Sequence, residues 1–198
     1  MEETSAKRLL RWQQIVGQLT QDYNSLSLAE KEQLTELLSK IERLQIRLDR
    51  LFRKADGEQI CADCEGACCA KGHNHAGLVN LLSYLEQGVT PPAADFTRTC
   101  PWLGPDGCHH QAKSRPYNCI TFLCDKLEVR LEKTDIDEFY RLESDLRKLY
   151  FKFSDLYAGG GMSGLLLQAE RLNGMSLLSK KTAEGTIPRS SNQNEVEF

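Results

Sequence analysis

The chain has 198 residues, is 40% hydrophobic and 27% charged, and carries a formal net charge of −3. That length allows one ordinary domain or a small domain with appendages, and interspersed acids and bases speak against a polyanion or nucleic-acid binder. The longest apolar stretches, "AGLVNLLSYL" and "GLLL", fall short of the roughly 18–20 residues that span a bilayer, so no membrane protein is expected.

The opening "MEETSAKRLLRWQQ" places two acids before its first base and no long apolar run after it. It therefore lacks both parts of a secretory signal, and the expected location is cytoplasmic. Leu9, Trp12, Val16, Leu19 and Tyr23 recur at spacings of three and four, which lays an apolar seam along a first helix. Ser27 followed by Glu30 has the form of a capping box and opens a second helix with its seam at Leu34, Leu37, Ile41, Leu44, Leu48 and Leu51. Gly57 is placed to end it. The short "NSLS" connection predicts an antiparallel hairpin packed seam to seam, although the same coiled-coil-like spacing would serve self-association or a protein partner.

Further along, "NHAGLVNLLSYLEQG" offers Asn74 as a cap, a short buried helix through Leu78, Leu81, Leu82 and Leu85, and a closing Gly88. From Val89 to Thr99 periodicity is lost, and "GPDG" at Gly104 to Gly107 marks a turn. "KLEVRLE" alternates in period two and reads as a short strand. Thr134 begins a third long helix with Phe139, Leu142, Leu146, Leu149, Phe153 and Leu156 on its seam. "AGGGMSG" lacks the lysine and hydroxyl residue of a phosphate-binding loop and reads as a flexible joint before a last short helix, "LLLQAERLNG". The polar tail from Ser179 to Phe198 has too little apolar surface to order itself.

All eight cysteines, Cys61, Cys64, Cys68, Cys69, Cys100, Cys108, Cys119 and Cys124, lie in the middle third of the chain. Cysteines that are merely small buried residues would be scattered, whereas metal ions and iron–sulfur clusters take thiolates in sets of about four, often two to four residues apart. Were 61–69 helical, Cys64 and Cys68 would fall at roughly 300° and 340° from Cys61, forming a tripod that Cys69 faces away from. A knuckle, in which backbone amides donate to sulfur, is the alternative, given Gly66, Gly72 and Gly77. A four-thiolate centre carries about −2, which Lys71, Arg98, Lys113 and Arg115 are placed to offset. Arg115, with five donors and Pro116 fixing the backbone beside it, is assigned to cofactor binding rather than to a surface turn. His73, His75, His109 and His110 each lie near a cysteine and could ligate, but eight thiols already fill two four-coordinate sites, so a loop role is expected for them.

The succession "CADCEGACC", "CPWLGPDGC" and "RPYNCITFLC" resembles the YkgJ-like cysteine cluster family, whose members carry C-x-x-C-x-x-x-C-C, then C-P-x-L, a further cysteine, and R-P-x-x-C ahead of a last one. The resemblance covers Cys61 to Cys124 and includes Arg115 and Pro116. It implies chelation of zinc or iron by those eight cysteines, and some longer relatives look like flagellin lysine methylases with an iron–sulfur centre. The chain departs from the pattern at Ile120, where an arginine is usual, and in "HHQAKS", where an aromatic residue is usual.

The expected architecture is mainly α: a helical hairpin over 1–57, a small irregular cysteine-cluster domain over 58–133, C-terminal helices over 134–178 and a disordered tail over 179–198. The expected function is metal binding, with zinc or an iron–sulfur cluster as cofactor. The alternative is a metal- or cluster-dependent enzyme for methyl transfer or redox chemistry. For that enzyme the sequence offers no nucleophile and base pair, nucleotide fingerprint or carboxylate pair at helical spacing. A C-x-x-C thiol oxidoreductase would sit in a βαβ pattern, which is not seen.

Overall fold

A computed structural model of the chain describes residues 3–64 and 72–181. The protein is mainly helical. Helix α1 (Ser5–Asn24) starts where the Thr4 hydroxyl accepts the Lys7 amide, and α2 (Leu28–Lys54) starts on the expected box, with Ser27 and Glu30 satisfying each other's backbone amides. Helix α7 (Lys133–Leu156) starts where the Glu132 amide donates to Asp135 Oδ2 at 3.3 Å.

Helices α2 and α7 pack along one another, burying Leu34, Ile41 and Leu48 against Phe139, Leu142, Leu146 and Phe153. The first two helices are consecutive, as the short connection implies, but α2 takes α7 as its close neighbour. Helix α1 instead meets α4 (Leu78–Glu86) and α8 (Leu165–Leu172). Local connection length decides which elements follow one another; the larger apolar seam decides which ones pack.

Several details differ from the sequence reading. Helix α2 stops at Lys54, Asp56 takes a left-handed conformation (φ 54°), and Gly57 begins α3 (Gly57–Asp63) instead of ending α2. The cap of α4 is Gly77, whose N–H donates to Asn80 Oδ1 at 2.8 Å, while Asn74 belongs to a 3₁₀ turn, Gly72–Asn74. "KLEVRLE" is no strand. It overlaps the single helical turn α6 (Asp125–Glu128), with Leu127 and Leu131 buried four residues apart and Val129 between them 81% exposed. The only paired strands among the described residues flank "GPDG": β1 (Leu103–Gly104) and β2 (Gly107–Cys108) are antiparallel, with Leu103 opposite Cys108. Gly107, at φ +101°, supplies the turn conformation that other residues resist.

The glycine run is tightly packed, and this corrects the reading of a joint. A Cβ on Gly160 would lie 2.6 Å from the Phe153 carbonyl oxygen, and one on Gly164 would lie 2.5 Å from the Asn74 carbonyl. Ala158 and Gly159 donate their amides to Ser179 and Leu177. Lys180 joins this arrangement through a bridge to Tyr157 and an ion pair with Glu30, so the chain is held as far as 181; the rest of the expected tail lies outside the described residues.

The irregular middle of the chain is anchored on the helices. Trp102 is buried between Trp12, Phe96 and His110, at ring separations of 5.3, 6.2 and 5.0 Å. Tyr117 and Ile120 of α5 (Tyr117–Ile120) join the main core. A smaller cluster of Ala55, Ile60, Leu127 and Leu131 fastens α3 to α6 and takes in Cys124. No described helix is long and apolar enough to cross a membrane.

Candidate metal centre

Six cysteines fall among the described residues, and no disulfide joins them to one another; Cys68, Cys69 and Lys71 lie outside. Cys61 occupies the last turn of α3 and Cys64 is its C-cap, with Sγ 3.4 Å from the Cys61 carbonyl oxygen. Helix α3 itself ends at Asp63, and the rest of the stretch, with the tripod's third member, lies outside the described residues. Cys124 caps α6 and packs with the Ile60 cluster.

The other four, Cys61, Cys100, Cys108 and Cys119, come from four separate segments; Cys100 is buried and the other three are partly buried. Burial pushes the Cys119 thiol well above its ordinary range, the neighbouring Cys108, Cys100 and Cys61 push the same way, and the Arg115 guanidinium opposes them. Cys108 is also raised by burial, against the pull of Arg115 and of the His110 backbone N–H, which donates to its sulfur. Cys100 is 9% exposed and is approached so closely by Gly72 that a Cβ there would lie 3.2 Å from its sulfur.

Charging several such sulfurs together without a cation is opposed by desolvation and by their mutual repulsion. Among the described residues, no group of three or more histidine, cysteine, aspartate or glutamate side chains is gathered closely enough to hold an ion.

Arg115 is no surface base. It is 5% exposed and Nη1 donates to Asp49 Oδ1 at 2.9 Å. Its guanidinium carbon sits 5.1 Å from the Phe52 ring centroid, and its carbonyl accepts from Gln45 Nε2 at 2.6 Å and Asn80 Nδ2 at 3.0 Å. Its Nε is buried with no partner among the described residues. The backbone therefore fixes the strap that carries Arg115, and Asp49 of α2 holds its charge beside Cys108. Arg98 and Lys113 serve elsewhere: Arg98 bonds Asp95 and the Leu103 carbonyl, and Lys113 pairs with Glu42 at 3.8 Å.

The histidines divide. His73 donates Nε2–H to the Arg98 carbonyl at 2.6 Å, which leaves Nδ1 to accept from Arg8 at 2.8 Å. His110 is buried against Trp102, Nδ1 lies 3.1 Å from the Tyr84 hydroxyl, and burial pushes it down to about 3. His109 packs over Gly104. His75 is half-buried, burial lowers its pKa toward the neutral ring, and its Nδ1 lies 3.3 Å from Cys119 Sγ.

Sequence reasoning missed Asp49, Gln45, Asn80 and the His75 contact. The signal for two of them is present in the sequence, since Gln45, Asp49 and Phe52 form a stripe at four- and three-residue spacing beside the α2 seam, with two polar members on an otherwise apolar flank. Comparison with known proteins adds no relative: no family model matches the chain, and no curated protein or solved structure matches it either.

Proposed function

We propose that the chain is a metal-binding protein that holds zinc or an iron–sulfur cluster through its central cysteines. The observation that carries this reading is the approach of Cys61, Cys100 and Cys108, from three other segments, toward the partly buried Cys119, whose thiolate their charge opposes and whose sulfur lies 3.3 Å from His75 Nδ1. Isolated buried thiols need no such company. A bound cation would reverse the balance by favouring thiolates, and Arg115, held by Asp49, would offset remaining negative charge at Cys108. Cys64 at the end of α3, Cys124 at the start of α6, and Cys68 and Cys69 make up the rest of the eight. The bound group would supply either a structural tie between the segments or a redox centre.

The experiment is purification without air, followed by metal and sulfide analysis and an ultraviolet–visible spectrum. Stoichiometric zinc in a colourless solution, or iron with sulfide in a brown one, supports the reading and chooses between its forms. A metal-free, folded protein would refute it.

A further inference from the structure

We propose that His75 is a metal ligand alongside Cys119, so that the metal they hold takes both nitrogen and sulfur donors. The inference rests on the metal-binding reading above and adds a residue that the cysteine pattern does not contain.

The first argument is distance. With metal–sulfur and metal–nitrogen bonds of about 2.3 and 2.0–2.1 Å, two donors on a tetrahedral zinc stand roughly 3.5 Å apart. His75 Nδ1 and Cys119 Sγ are 3.3 Å apart, so both can serve one ion with small adjustments. The second argument is availability. Among the described residues the His75 ring makes no other hydrogen bond, whereas both His73 nitrogens are engaged by Arg8 and the Arg98 carbonyl.

The third argument is support. The loop that carries His75 is clamped on both sides. Gly72 lies against Cys100, the Ala76 carbonyl accepts the Leu165 amide at 2.8 Å, and Gly164 at the start of α8 abuts the Asn74 backbone. A donor on such a loop is held in place before metal arrives, which is what a ligand needs. Loading would exchange the Cys119 S–H proton for the metal and release it to water, leaving His75 Nε2–H free to donate outward. With an iron–sulfur cluster, the same ligand would raise the reduction potential above that of an all-cysteine centre.

The test is X-ray absorption at the metal edge on the full chain purified without air, with metal per chain measured in parallel for wild type, His75→Ala and His75→Cys. The expected result is a nitrogen shell with imidazole scattering in wild type, an all-sulfur shell in His75→Cys, and metal retention against a chelator at least tenfold weaker in His75→Ala. His75→Cys keeps a donor, so it tests the inference even if the alanine variant does not fold. A bound metal with only sulfur neighbours in wild type, or a nitrogen shell that persists in His75→Cys, would overturn the assignment of His75 while leaving metal binding intact. A metal-free wild type would overturn both.

Discussion

Replacement of Asp49 by leucine tests how Arg115 is held. Both residues are at least nine-tenths buried, at 5% exposure each, and their contact is a 2.9 Å bond from Nη1 to Oδ1. Asp49 has a second partner, Arg53 Nε at 2.6 Å, whose side chain is 53% exposed. The two deletions are therefore unequal. Without Asp49, Arg115 is a buried cation with an already unpartnered Nε and no carboxylate, left with the Phe52 ring and the Cys108 sulfur, and removing one member of a buried pair costs about 3–5 kcal/mol. Without Arg115, Asp49 keeps Arg53, and the loss should be nearer the roughly 1–3 kcal/mol of a broken buried hydrogen bond. Urea unfolding followed by circular dichroism should rank Asp49→Leu below Arg115→Leu. The pair Asp49→Leu with Arg115→Met should recover part of the loss, because no lone charge remains. For a chain of this size, 3–5 kcal/mol corresponds to a midpoint lower by very roughly 6–20 °C. An Asp49→Leu protein within about 1 kcal/mol of wild type, or an Arg115→Leu protein that is the weaker of the two, would refute the reasoning.

Two other outcomes follow from the packing and the caps. Gly164→Ala would set a methyl group 2.5 Å from the Asn74 carbonyl, against backbone that cannot swing away, and should cost about 1–3 kcal/mol in thermal unfolding; an unchanged midpoint would show that the loop is not clamped. Glu30 is held at about 2 by its bonds to the Ser27 hydroxyl and amide and by Lys180. Its folded value lies below the unfolded value of about 4.3, so its contribution is present above that pH and is lost as pH falls toward 2. Glu30→Gln should therefore flatten the acid side of the stability profile, and a profile identical to wild type between those limits would contradict the cap's role.

The long helices were legible because three-four spacing of large apolar residues survives any tertiary context: the seams of α1, α2 and α7 are where Leu19, Ile41 and Leu142 predicted them. The Ser27 and Glu30 cap was equally readable, since it depends only on residues three apart. Short elements were not. "KLEVRLE" satisfies period two in sequence, but Leu127 and Leu131 pack four apart on Ile60, a partner more than sixty residues away that local pattern cannot name. The glycines of "AGGGMSG" were read for freedom, whereas Gly160 and Gly164 are there because backbone comes too close for a side chain. At the site, the sequence pointed to Arg115, yet its partner Asp49 lies 66 positions earlier on a helix read only for its apolar face. The contact of His75 with Cys119 spans 44 positions and leaves no trace in spacing.

The most direct test of the central claim is metal per chain in anaerobically purified wild type beside Cys119→Ser. Cys119 is the sulfur on which burial, three neighbouring cysteines and His75 converge. Wild type should carry zinc or iron in a whole-number ratio, and the serine variant should carry less and melt at a lower temperature. Equal metal content and equal melting in the two proteins, or a wild type that holds no metal and melts unchanged in the presence of a chelator, would contradict the account.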